Sequence, residues 1–129
     1  MKLFILLSLV VLCFGQKLYG GDFTTLDLTE ALSDPIVLRC IDLGVAEVLR
    51  DGNSDGYIPD TDLTLSQVNS VETQIPKGNN KGVNYRIDVL LTNPGGAEVK
   101  SRFIINYQST TDVVSWTDNF DFQYISYHN

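Results

Sequence analysis

Residues 83–91 constrain the fold more than any other stretch. Val83, Tyr85, Ile87, Val89 and Leu91 share one parity, and Asn84, Arg86, Asp88 and Leu90 the other. Successive side chains of an extended chain point to opposite faces, so this period of two specifies a half-buried strand. The residues before it, Gln74-Ile75-Pro76-Lys77-Gly78-Asn79-Asn80-Lys81-Gly82, are turn chemistry: proline presets φ, glycine admits positive φ, and asparagine tolerates it. Leu65 to Ile75 is rich in Val, Thr and Ser and supplies a partner strand. Residues 65–91 therefore read as one long β-hairpin with a glycine-rich, cationic tip.

Upstream, Ser33-Asp34-Pro35 is a helix start, with Ser33 or Asp34 as cap and Pro35 in the first turn, where its missing N–H has no cost. Val37, Cys40, Ile41, Gly44, Val45, Val48 and Leu49 then recur at helical spacing and form one apolar stripe, with Arg39, Asp42, Glu47 and Arg50 off it. Cys40 lies on the stripe and is expected to be buried and inert. Asp27 to Leu32 reads as a short helical turn, and the preceding Gln16 to Thr25 as loose polar chain.

Downstream, Asn93-Pro94-Gly95-Gly96 is a turn, and Val99 to Tyr107 a third strand with Phe103, Ile105 and Tyr107 on one face. Gln108 to Asn119 reads as a polar loop carrying Val113, Val114 and Trp116. Phe120, Phe122 and Tyr124 alternate with Asp121 and Gln123, giving a fourth strand. One amphipathic helix followed by meandering strands is an α+β layout, with the helix stripe packed on one face of a four- to five-stranded antiparallel sheet.

At 129 residues the chain suits one domain. It opens with Met1-Lys2 and an apolar run from Leu3 to Phe14 that is too short to span a bilayer. With the small residues Cys13 near its end and Gly15 just after it, this run reads as a secretory signal peptide, residues 1–15, ahead of a domain at 16–129. Loss of Lys2 with the leader would make the formal net charge of −7 one unit more negative. An acidic, secreted chain without a basic patch argues against nucleic acid as a partner, and no second apolar run argues for a membrane. Cleavage would also leave Cys40 as the lone cysteine, so no intramolecular disulfide would form and the fold would rest on its core. No Asn-x-Ser/Thr sequon is present.

The local sequence resembles the cystatin family over most of the mature chain. Gln74-Ile75-Pro76-Lys77-Gly78 resembles the family's Gln-x-Val-x-Gly hairpin, and Val83-Asn84-Tyr85 resembles the strand that follows it. Gly20-Gly21, ahead of the helix, resembles the N-terminal glycine of cystatins. Phe103-Ile104-Ile105-Asn106-Tyr107 followed by Trp116 resembles the third strand and second hairpin. The lack of disulfides is similar to that of the shorter insect members. The chain departs from the pattern in four ways: Pro76 stands for Val, Asn79 to Gly82 lengthen the tip, Ser115 stands for the Pro before Trp116, and Tyr107 and Trp116 are widely spaced. Aligned without the insertion, the motif becomes Gly78 to Gly82 and its Gln is lost.

The resemblance implies a monomeric, cofactor-free wedge that blocks the active-site cleft of papain-like cysteine proteases. Gly20, Gly21, Gln74, Ile75, Pro76, Lys77, Gly78 and Trp116 would be its protease-binding residues. Glycines let a main chain lie close to a cleft wall. Ile75 and Trp116 would bury apolar surface, and Lys77 and Lys81 would meet acids on the rim. A cystatin-fold binding protein that does not inhibit is the alternative implied by the departures.

A second motif competes for attention. Asp51-Gly52-Asn53-Ser54-Asp55-Gly56-Tyr57-Ile58-Pro59-Asp60-Thr61-Asp62 matches an Asp-x-Asn-x-Asp-Gly calcium loop, with oxygens from Asp51, Asn53, Asp55, the Tyr57 carbonyl and Asp62. Against it, Asp62 is shorter than the usual Glu, Pro59 removes a donor, and Leu63 to Ile75 reads as strand rather than as a second helix. Enzyme chemistry finds no constellation: the chain has one stripe cysteine, a tail histidine at His128 and no nucleophile elbow.

Overall fold

The computed structural model describes residues 22–55, 63–76 and 82–125, with side chains described for 22–51, 63–76 and 82–117. The leader at 1–15, Gly20, Gly21, Tyr57, Asp62, Lys77 and Gly78 lie outside the described residues. A two-residue strand β1 (Thr24–Thr25) precedes a short helix α1 (Leu28–Ala31) and the main helix α2 (Pro35–Asp55). Four long strands follow: β2 (Thr64–Gln74), β3 (Val83–Thr92), β4 (Glu98–Gln108) and β5 (Val113–Ile125). They form one antiparallel sheet in the order β1-β2-β3-β4-β5. The architecture is α+β, one main helix on a five-stranded antiparallel meander.

The helix starts are set by side-chain caps. Asp27 accepts a hydrogen bond from the Glu30 N–H (3.2 Å) and opens α1. Asp34 accepts from the Ile36 N–H (2.9 Å) and opens α2, with Pro35 as its first residue. On α2 the stripe residues Val37, Cys40, Ile41 and Val48 are buried against Val71, Ile87, Val89, Leu91, Val99, Phe103 and Ile105 of the sheet. Each such side chain taken fully from water contributes about 1.5–3 kcal/mol.

The central pair β3–β4 runs from Val83↔Tyr107 to Thr92↔Glu98 without a shift in register. The strands on either side of it do not. On β2 the pairs Leu65↔Leu91, Val68↔Val89 and Val71↔Ile87 leave Ser66 and Asn69 as extra residues. On β5 the pairs Ile105↔Trp116, Phe103↔Asn119 and Arg102↔Asp121 leave Thr117 and Phe120 as extra residues. Bulges bend a strand and raise its twist. A regular central ribbon flanked by twice-bulged strands curls the sheet about the helix.

Two sequence expectations change here. Gln108 to Asn119 is not a polar loop: the turn is confined to residues 109–112, and Val113 to Ile125 is one continuous strand. Trp116 therefore lies within the sheet, opposite Ile105. Thr24–Thr25, read as loose chain, forms the edge strand through Thr24↔Thr73 and Thr25↔Glu72. The β2–β3 hairpin, the 93–96 turn and the start of α2 agree with the sequence reading.

The face away from α2 carries cross-strand ion pairs at opposed positions. Arg86 donates from Nε and Nη2 to the two Glu72 oxygens (2.9 and 2.8 Å), and Arg102 donates from Nε and Nη2 to Asp88 (2.6 and 3.0 Å). The Arg86 guanidinium also lies 4.1 Å from the centroid of Phe23. That contact holds the chain just ahead of β1 against the sheet.

Candidate functional site: one end of the sheet

Three chain segments meet at one end of the sheet. The chain enters β1 beside Thr73, the β2–β3 connection spans Gln74 to Val83, and the β4–β5 turn spans Gln108 to Val113. The register places these positions in line, because Gln74 pairs with Asn84, Asn84 with Asn106, and Asn106 with Ser115. With strands about 4.8 Å apart, the strand ends that carry the first connection and the second turn lie roughly 10–15 Å from each other along this edge.

A row of amides braces the edge from below. Asn84 Nδ2 donates to Gln74 Oε1 (3.1 Å), Asn106 Nδ2 to Asn84 Oδ1 (2.8 Å), and Gln108 Nε2 to Asn106 Oδ1 (2.8 Å). Gln74, Asn84 and Asn106 are buried, so each bond also avoids the cost of an orphaned amide. Gln74, named from the sequence as a protease contact, thus spends its side chain inside the sheet. Its neighbour Ile75 is 67% exposed, and Pro76 is half-buried.

The return into β3 passes through Gly82 at φ +106°, where a Cβ would lie 2.2 Å from the Tyr107 carbonyl oxygen. Only glycine fits on both counts. Gly82, where the chain returns into β3, is thereby packed onto the end of β4.

The second turn is held by a helix residue. Arg39 on α2 donates from Nη1 to Asp112 Oδ1 (2.7 Å) and from Nη2 to the Asp112 carbonyl (2.9 Å). The Tyr107 hydroxyl donates to the same Oδ1 (3.0 Å), and the guanidinium lies 5.8 Å from the Tyr107 ring centroid. Asp112 has φ +53°. The Arg39 hydrogen bond, then that of Tyr107, holds the Asp112 carboxyl below its ordinary range. The bond to Asp112 in turn raises the Tyr107 phenol. Ser109 to Asp112 are exposed, and Val113 behind them is 49% exposed.

Trp116 does not join this tip. It is half-buried, packed on the core with its ring 6.0 Å from that of Phe103. Among the described residues of this edge, Ile75 and Val113 are exposed large apolar side chains. Val113 was missed in the sequence because it was read as part of a loop, and Arg39 because its partner is 73 residues away.

The calcium motif meets a different backbone. Asp51 to Asp55 continue α2 as helix, and the rest of the motif, residues 56–62, lies outside the described residues. Among the described residues, no group of three or more His, Cys, Asp or Glu is placed to hold a metal. Cys40 is fully buried, and burial pushes its thiol up to about 12, so it carries no thiolate for nucleophilic work. Among the described residues no helix is long and apolar enough to cross a membrane.

Compared with family models, with characterised proteins and with solved structures, the chain matches none.

Proposed function

We propose that the chain is a secreted, cystatin-like, reversible inhibitor of papain-like cysteine proteases that fills the active-site cleft with one end of its sheet. The observation that carries this reading is the alignment of the β1 start, the Gln74–Val83 connection and the Gln108–Val113 turn along a single edge. A cleft-filling wedge needs several loops projecting together from a rigid base. A strand order equal to the chain order, with a helix between the first two strands, supplies such a base. Ile75 and Val113 are exposed apolar side chains at two of the three points, and burying each in a cleft would contribute about 1–3 kcal/mol. The amide row, Gly82 and the Arg39–Asp112 bonds limit the entropy lost on docking.

The test is titration of the chain from Gln16 to Asn129 against papain and a cathepsin L-type enzyme. Reversible inhibition that weakens on Gly78→Trp, or on truncation through Gly21, is the expected result. Absence of inhibition at micromolar protein would reject the reading.

One observation favours a second reading, a cystatin-fold binding protein that does not inhibit. Trp116 stands in the sheet against Phe103, so the second turn lacks the large aromatic anchor that the resemblance implied. The same titration separates the two, since a protein that does not inhibit leaves papain activity unchanged at any concentration.

A further inference from the structure

We propose that Arg39 is a positioning residue for the docking edge: from the main helix it fixes the four-residue Ser109–Asp112 turn in the conformation that presents Val113. This rests on the cleft-filling reading of the same edge. The turn is exposed throughout and ends in Asp112 at φ +53°, a left-handed conformation that among non-glycine residues Asp and Asn adopt most readily, and that the bonds to Asp112 lock in place. The holding groups are specific. One planar guanidinium grips both the side-chain and the main-chain oxygen of Asp112 (2.7 and 2.9 Å). The Tyr107 hydroxyl adds a third bond at 3.0 Å.

The link is of a kind that lysine cannot copy, because an ammonium is a point donor and not a fork. It also joins two rigid bodies. Arg39 belongs to the helix and Tyr107 to the end of β4, whose carbonyl lies under Gly82 at the base of the first connection. Arg39 thereby sets the height of the second turn relative to the first. Its own side chain is 40% exposed and stands off the apolar stripe, so it is positioned to act on the turn without being part of the core.

The experiment uses the full chain with Arg39→Gln, Arg39→Lys, Tyr107→Phe and Asp112→Asn. It has two readouts, backbone order parameters at Ser109–Val113 by NMR relaxation and the rates of association with and dissociation from papain. For wild type the turn is expected at order parameters near 0.85, the value of rigid backbone. Arg39→Gln lowers them below about 0.6, the flexible range, and Arg39→Lys falls between. Asp112→Asn stays near wild type, since asparagine keeps an acceptor and tolerates positive φ. Tyr107→Phe has a smaller effect than Arg39→Gln.

Dissociation from papain is expected to speed up about tenfold in Arg39→Gln with association nearly unchanged, the pattern of a disturbed bound state, while the urea midpoint moves little. An unchanged turn in Arg39→Gln overturns the proposal. So does equal binding by all variants despite a loosened turn. If wild type does not bind papain, the cleft-filling reading fails, and the order parameters alone then decide whether Arg39 holds the turn.

Discussion

A Cβ added to Gly44 would lie 2.0 Å from Cε1 of Phe103 and 2.3 Å from its Cζ. Gly44 is in the interior of α2, where glycine is about 1 kcal/mol less favourable than alanine. The fold accepts that cost because the fully buried Phe103 ring lies directly against the helix backbone. The Trp116 ring lies 6.0 Å from that of Phe103. This one contact sets how closely the helix approaches the sheet.

Gly44→Ala is therefore expected to destabilise the protein even though it improves helix propensity. Overpacking a filled core costs about 1–3 kcal/mol, which outweighs the propensity gain and leaves a net loss of about 1 kcal/mol. Phe103→Leu in the same background should recover part of it, because a smaller side chain makes room for the methyl. Urea unfolding followed by Trp116 fluorescence checks this. A more stable Gly44→Ala would mean that the ring moves aside at no cost.

Ser101 carries the opposite kind of defect. It faces the core opposite Val89, it is 3% exposed, and its hydroxyl has no hydrogen-bond partner among the described residues. An unsatisfied buried hydroxyl costs about 1–3 kcal/mol. Ser101→Ala removes the polar atom and little volume, so stability should rise by about 1 kcal/mol in the same unfolding assay. A loss of stability would show that the hydroxyl has a partner in solution.

The parts of the fold that were readable in the sequence are those in which one period runs uninterrupted. Strand β3 pairs in strict register with β4, and its alternation from Val83 to Leu91 is clean. The α2 stripe is equally regular, and its buried members are those that the helical period selects. The bulged strands were harder to read. In β2 the residues opposite the apolar face of β3 are Leu65, Val68 and Val71, a spacing of three that matches neither a plain strand nor a helix. In β5 the extra residue Thr117 falls where the sequence suggested a loop, and the extra residue Phe120 where it suggested the start of a plain strand.

The candidate edge was half legible. Turn chemistry marked the first connection, and Ile75 came from the resemblance of Gln74 to Gly78 to the cystatin hairpin. The brace beneath it was hidden, because Gln74, Asn84, Asn106 and Gln108 become neighbours only once three strands are in register. Arg39 was read as an off-stripe surface charge. Nothing local distinguishes it from Arg50, which pairs with Glu47 on its own helix.

Cys40 should make stability fall in alkali. Burial raises its thiol from the ordinary 9.0 to about 12, so the folded state keeps a proton that the unfolded chain gives up. The corresponding stability is intact below pH 9 and is lost as pH rises from about 9 toward 12. The slope approaches about 1.4 kcal/mol per pH unit for this one group. Tyr85 and Tyr107, both raised, push in the same direction. Unfolding free energies at pH 7.5 and pH 10.5 should diverge more in the parent than in Cys40→Ala. Equal divergence in the two proteins would place the proton release elsewhere.

Ile75 and Val113 should divide the binding energy unequally. Ile75 is 67% exposed and Val113 49%, so the isoleucine has more surface left to lose to a partner. At about 25 cal/mol per Å² of apolar area, Ile75→Ala is expected to weaken protease inhibition roughly tenfold or more, and Val113→Ala by a few-fold. Three strand spacings separate the two, which is far enough for their effects to add. The double variant should therefore lose the product of the single losses. Trp116→Phe is the internal control. Its ring packs on Phe103 inside the molecule, so the substitution should lower the urea midpoint while leaving the inhibition constant near wild type. Inhibition constants for the four proteins decide where contact is made. A greater loss for Trp116→Phe than for Ile75→Ala would move the contact from the sheet edge to the body of β5, and would require β5 to open when the partner binds.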